Sequence, residues 1–149
     1  MVEEEQKKFE KIKEKKEKSN KRILIKVLSQ SNKGAPAARN LAIRNATGKY
    51  LQFVDSDDLL SPEKISKQVT ALEKTQEEIA VCDFQSVDVI SGEIWVTKND
   101  GNAMLNVCRG KSPNTMTPLI RSDLIKNKIF WLESMKKQQD LDFMLKGLF

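Results

Sequence analysis

Apolar and polar positions fall into short blocks whose period alternates between that of a helix and that of a strand. Residues 3–18 are Glu, Lys and Gln almost throughout, with Phe9 and Ile12 as a narrow apolar stripe. That composition predicts a helix that must dock by the stripe to be stable. Ile23 to Leu28 is β-branched and nearly continuously apolar, the pattern of a strand covered on both faces. Gly34-Ala35-Pro36 opens a second helix, with proline in the first turn, where its missing N–H costs nothing. The body runs from Ala37 to Ala46, and Gly48 is the expected stop. Tyr50 to Val54 reads as the next strand and leads directly into Asp55-Ser56-Asp57-Asp58. Ser61 and Pro62 then start a third helix as cap and first-turn proline, with Ile65, Val69 and Leu72 on its buried face.

The second half has a different rhythm. Ile79 to Ile90, a Ser91-Gly92 turn and Glu93 to Val96 predict two paired strands. Asn99 to Asn102 is another turn, residues 117–121 suit a strand, and Leu141, Met144, Leu145 and Leu148 stripe a last helix. Strand–helix alternation followed by a strand pair predicts an α/β fold, a mostly parallel sheet flanked by helices with an antiparallel portion. No repeat or linker divides residues 1–149, so a single domain is expected.

Composition narrows the chemistry more than the fold. The chain has no histidine, which removes Ser-His-Asp and Cys-His nucleophile pairs, His-ligated zinc and imidazole acid–base catalysis. Carboxylates are then the strongest candidates for proton transfer. No run reaches the roughly 18 apolar residues of a membrane span, and the N-terminus lacks the apolar block of a secretory signal. Cys82 and Cys108 have no metal-ligand spacing and fit reduced thiols. A cytoplasmic protein is the expectation, with peripheral membrane contact left open. The net charge of +5 first suggests nucleic acid, but residues 1–22 hold nine Lys/Arg against six Asp/Glu, leaving 17 against 15 elsewhere. The excess is therefore concentrated in one segment of mixed sign, a solvated helix face, and no nucleic-acid partner is expected.

Asp55, Asp57 and Asp58 lie where ligands bind in an open parallel sheet, beyond the carboxyl end of a strand. Three carboxylates so close repel unless a cation or donors neutralise them. Strand alternation aims Asp55 and Asp57 roughly alike, enough to share a Mg²⁺ or Mn²⁺ ion with diphosphate oxygens. An acidic loop capping the next helix through Asp58 or Ser61 accounts for the spacing equally well. An EF-hand does not, because Leu59 stands where that loop needs an oxygen ligand, and the chain has no Walker-type P-loop.

The run Asn32-Lys33-Gly34-Ala35-Pro36-Ala37-Ala38-Arg39-Asn40-Leu41-Ala42-Ile43, followed by Ala46-Thr47-Gly48-Lys49-Tyr50-Leu51-Gln52-Phe53-Val54-Asp55-Ser56-Asp57-Asp58, resembles glycosyltransferase family 2. The likeness is close over about residues 20–72 and looser elsewhere. It implies an incomplete Rossmann-like, A-type nucleotide-sugar transferase fold and inverting, metal-dependent transfer of a hexose-type sugar. The implied partners are a nucleotide-sugar donor and a carbohydrate or other hydroxyl acceptor. By position, Asp57 would be the main metal ligand, for Mg²⁺ or Mn²⁺. Asp55 would bind the ribose or support the metal, and Arg39 would lie near the diphosphate. Asn40 would brace the turn or the acidic loop. Gln139-Asp140 resembles the family's Glu-Asp pair, which makes Asp140 the expected general base, with Gln139 departing from the usual Glu. The likeness also implies that the family's first strand–helix–strand is missing, with residues 3–18 standing at the helix that follows it. Open sheet edges, with homo-oligomers formed through them, and near-background turnover would follow. A weak nucleotide- or metal-binding or association module without catalysis is the alternative.

Overall fold

The computed structural model describes residues 24–99, 114–128 and 130–148. The expected helix over 3–18, Ile23, Asp100 to Asn102 of the expected turn and Cys108 lie outside them. Helix α1, Ala35–Asn45, starts where predicted. Gly34 precedes it at φ 85°, a conformation that costs a residue with a Cβ, and Asn32 Oδ1 accepts the Gly34 N–H at 3.0 Å. Pro36, Ala37, Asn40 and Ile43 form its buried side. Strand β1, Tyr50–Gln52, is shorter than the predicted run, because Phe53 and Val54 already belong to the loop.

Helix α2 covers Lys64–Thr75 and ends at Gln76, which adopts φ 62°. Pro62 lies in the turn ahead of it, and Glu63 occupies the cap position with no side-chain capping bond. The expected face of Ile65, Val69 and Leu72 is corrected: Lys64, Gln68 and Leu72 are buried, while Ile65 is exposed. The two faces share Leu72, and polar partners described below turn the helix toward its amide-bearing side.

The predicted strand over Ile79 to Ile90 divides in two. Strand β2, Ile79–Ala80, joins one sheet. Strand β3, Phe84–Val87, pairs with β4, Ile94–Thr97, in a separate antiparallel hairpin. Asp88 Oδ1 accepts the backbone N–H groups of Ile90 and Ser91, both at 2.8 Å, and shapes the tip. These bonds hold the Asp88 carboxyl below its usual range. Strand β5, Leu119–Arg121, runs straight into helix α3, Ser122–Lys128, and helix α4, Gln139–Leu148, closes the described chain.

The three-stranded sheet has the order β1-β5-β2, with β5 antiparallel to both neighbours. The expected mostly parallel sheet is therefore not what the described ladders form. Strands β1 and β2 do run in the same sense, joined through α2 as a strand–helix–strand unit. A helix is about 10 Å wide and strands lie about 4.8 Å apart, so the crossover leaves room for one strand between them. Strand β5 fills that gap: Ile120 faces Leu51 on one side and Ile79 on the other.

The core lies where β5 meets the helices. Ile43, Ile120, Leu124, Ile125, Trp131, Phe143 and Met144 are buried together, with Leu51, Phe53, Ile79 and Val81 packed against them. Leu24 to Leu28 is another correction: the segment has no regular structure, and Leu24 and Val27 are 85 % and 69 % exposed. No described strand pairs with it, so its β-branched pattern has no ladder to join. Cys82 is half-buried, and burial pushes its thiol upward. Among the described residues, no helix is long and apolar enough to cross a membrane.

Candidate active site

Three elements converge beside the end of β1. Helix α1 carries Arg39, the loop leaving β1 carries Asp55, and the first turn of α4 carries Asp140. Arg39 Nη2 donates to both carboxylate oxygens of Asp55 at 3.0 Å, and Nη1 lies 3.6 Å from Asp140 Oδ1. One guanidinium thus holds two acids that would otherwise repel across the site. The Arg39 side chain is only 15 % exposed, against 47 % for Asp55 and 38 % for Asp140. The cation is the shielded partner and the carboxylates face solvent, an arrangement that fixes the acids and leaves them accessible.

Arg39 is itself held by an aromatic stack. Its guanidinium carbon sits 4.5 Å from the centroid of the Trp131 ring. Trp131 stacks on Phe143 at 4.2 Å and 9° between planes, and Phe53 meets both rings edge-on at 5.8 Å. Phe143 lies one turn beyond Asp140 in α4, and Phe53 is two residues before Asp55. The stack therefore ties both carboxylate-bearing segments to a common apolar floor. The Trp131 indole N–H is buried without a hydrogen-bond partner among the described residues.

Among the described residues, Asn40 braces neither the turn nor the acidic loop, the two partners expected for it. Its side chain accepts the Trp131 backbone N–H and donates to the Trp131 carbonyl and to Glu133 Oε1, all at 2.9 Å. Adjacent residues of α1 thus serve two purposes: Arg39 grips the carboxylates, and Asn40 grips the segment that leads to α4. That segment turns into the helix at Gln138, whose φ of 55° is uncommon for a residue with a Cβ. Asp142 and Lys146 then pair along α4 at 2.6 Å.

Asp57 is exposed and makes no ion pair among the described residues. Asp58 N–H bonds to the Asp55 carbonyl at 3.1 Å, which closes the loop into a turn. Burial, then the nearby charges of Asp55 and Asp57, push the Asp58 carboxyl upward. Among the described residues, no three acidic or thiol side chains converge as a closed metal cage. One or two carboxylates with room for phosphate oxygens fit Mg²⁺ or Mn²⁺, which keep several non-protein ligands.

A family model described as Glycosyl transferase family 2 matches residues 5–138. The chain belongs to glycosyl transferase family 2. An uncharacterised glycosyltransferase of Rickettsia conorii is 50 % identical over 50 residues, 34 % of this chain and 8 % of that protein. The uncharacterised glycosyltransferase YibD of Escherichia coli is 37 % identical over 71 residues, 48 % of this chain and 21 % of its own. An uncharacterised glycosyltransferase of Methanocaldococcus jannaschii is 26 % identical over an alignment of 149 residues, 91 % of this chain and 47 % of its own. The crystal structure of S. aureus TarS 1-349 is similar at a TM-score of 0.60 and 25 % identity, over 80 % of this chain and 36 % of that one. The chain thus spans less than half the length of these relatives.

As a family 2 member, the chain is a glycosyltransferase relative with an α/β fold. Of the residues singled out from sequence, the structure joins Arg39, Asp55 and Asp140 and sets Asp57 apart in the same acidic turn. Trp131 and Glu133 were not anticipated. A lone tryptophan outside any periodic stripe carries no local signal, and its partners Arg39 and Asn40 stand more than 90 positions earlier.

Proposed function

We propose that this chain forms the donor-diphosphate and proton-accepting part of a nucleotide-sugar glycosyltransferase. It would move a hexose-type sugar to a hydroxyl of a carbohydrate or other acceptor with inversion. The observation that carries this is Arg39, shared between Asp55 of the acidic loop and Asp140 of α4. A displacement with inversion needs the leaving group and the base on opposite sides of one carbon, at a fixed separation. A single guanidinium that touches both carboxylates sets such a separation. Asp140 accepts the proton of the acceptor hydroxyl. That oxygen bonds to the anomeric carbon as the bond to the diphosphate breaks on the opposite face. A Mg²⁺ or Mn²⁺ ion at Asp57, with Asp55 alongside, would take up charge on the departing diphosphate.

Calorimetry with Mn²⁺, with and without UDP or GDP, tests the reading. Wild type is expected to bind the ion weakly alone and more tightly with the nucleotide, which supplies the remaining oxygens. Asp57→Asn is expected to lose at least about tenfold of the nucleotide-assisted affinity. Equal affinity in the two proteins removes Asp57 as the ligand. Binding without turnover is the second reading, favoured by Asp57 making no ion pair among the described residues while Arg39 ties up both Asp55 and Asp140. Hydrolysis of a panel of nucleotide sugars at background rates, beside tight Mn²⁺–nucleotide binding, would select it.

A further inference from the structure

Lys64 is the first residue of α2 and is 8 % exposed, yet none of its hydrogen-bond partners is an acid. Its ammonium donates to Gln52 Oε1, at the end of β1, and to Gln68 Oε1 at 2.7 Å, one turn along α2. Both amides pass the connection on. Gln52 Nε2 donates to the Phe53 carbonyl at 2.6 Å and to the Met116 carbonyl at 2.9 Å. Gln68 Nε2 donates to the Ala80 carbonyl at 2.7 Å and to the Thr117 carbonyl at 2.9 Å.

The place of this network in the chain gives it meaning. Gln52 and Lys64 are 12 positions apart and are the two stems of the loop that contains Asp55, Asp57 and Asp58. Their bond closes that loop at its base, and Gln68 anchors the closure to the backbone at β2 and just ahead of β5. A loop held at both stems pays its ordering entropy once, before any ligand arrives. Burial lowers the readiness of Lys64 to hold its proton. Two N–H groups suffice for both amide oxygens, and the amino group has them in either protonation state.

We propose that Lys64 is a positioning residue: with Gln52 and Gln68 it staples the stems of the acidic loop and sets how Asp55 and Asp57 meet a cation–diphosphate pair. The proposal rests on the donor-site reading above, and its test separates the two. Lys64→Met keeps length and apolar bulk and removes the donors; Gln52→Leu removes the acceptor and carries the test where Lys64→Met does not fold. Hydrogen exchange is read over residues 53–63 and, as a reference, over α4. Mn²⁺ affinity is measured with and without UDP.

The expected result is faster exchange confined to 53–63 and a loss of about tenfold or more in UDP-assisted Mn²⁺ affinity. Affinity for Mn²⁺ alone should change little, and Lys64→Arg should recover most of the loss. Unchanged exchange in 53–63, or wild-type Mn²⁺–UDP affinity in a folded variant, overturns the staple. A wild-type chain that binds no Mn²⁺–UDP would instead sink the donor-site reading, and loop exchange alone would then decide the staple.

Discussion

At the scale of residues, the site depends on a few polar side chains with little exposure. Asn40 is 3 % exposed and satisfies both the N–H and the carbonyl of Trp131. Asn40→Ala leaves those groups without their partner, and an unsatisfied buried group costs about 1–3 kcal/mol. A lower urea midpoint with an unchanged m-value is the expected reading; an unchanged midpoint would mean that water replaces the amide. Asp58 makes the opposite case. Its carboxyl is raised in the fold by burial and by its acidic neighbours, so the fold disfavours its ionised form. That penalty is absent below the ordinary carboxylate pKa and fully present above the raised one. Asp58→Asn should therefore raise Tm at about pH 7, and the gain should vanish by about pH 3. A gain of equal size at both values would point to a cause other than charge.

Among the elements, β5 and the β3–β4 hairpin are opposites. Strand β5 is central, and Ile120 is fully buried between Leu51 and Ile79. Ile120→Ala should cost about 2–5 kcal/mol, the range for a large-to-small change in a packed core. Ile94 has the same side chain in the hairpin but is 60 % exposed, and Ile94→Ala should stay within about 0.5 kcal/mol. Equilibrium urea unfolding of the two variants checks the contrast, and similar losses would show that the hairpin is covered in solution. Helix α1 works differently again. Its buried side is Pro36, Ala37, Asn40 and Ile43, and its adjacent Arg39 and Asn40 reach the carboxylates and the Trp131 segment respectively.

Across the whole molecule, the two sheets are not equally secured. Strands β3 and β4 pair only with each other among the described strands, whereas β1, β5 and β2 share a ladder and the aromatic floor. A lone two-stranded hairpin is marginal in water. Amides of Phe84–Val87 and Ile94–Thr97 should exchange markedly faster than those of Leu119–Arg121 and α3. Equal protection measured by mass spectrometry would show that both sheets open as one unit.

Local chemistry was legible directly from the amino acids. The turn at Gly34, the proline-led start of α1, the hairpin around Ser91-Gly92, the presence of helix α4 and the acidic turn after β1 each depend on near neighbours. The order of residues around Arg39-Asn40 and Asp55 to Asp58 also pointed to the family that the comparisons show. Contacts between distant segments were decided only by the tertiary structure. Insertion of β5 between β1 and β2 put antiparallel ladders where a mostly parallel sheet with an antiparallel portion was expected, because strand order leaves no periodic mark on the chain. The apolar run at Leu24 to Leu28 stayed exposed, since a strand exists only where a neighbour completes its hydrogen bonds. Lys64 and Gln68 lie outside the Ile65, Val69 and Leu72 face that the periodicity predicts, and their burial is acceptable only because backbone carbonyls at Ala80 and Thr117 and the amide of Gln52 are brought to them. Residue type settled which groups could carry charge or donate a hydrogen bond, and the fold settled which of them meet.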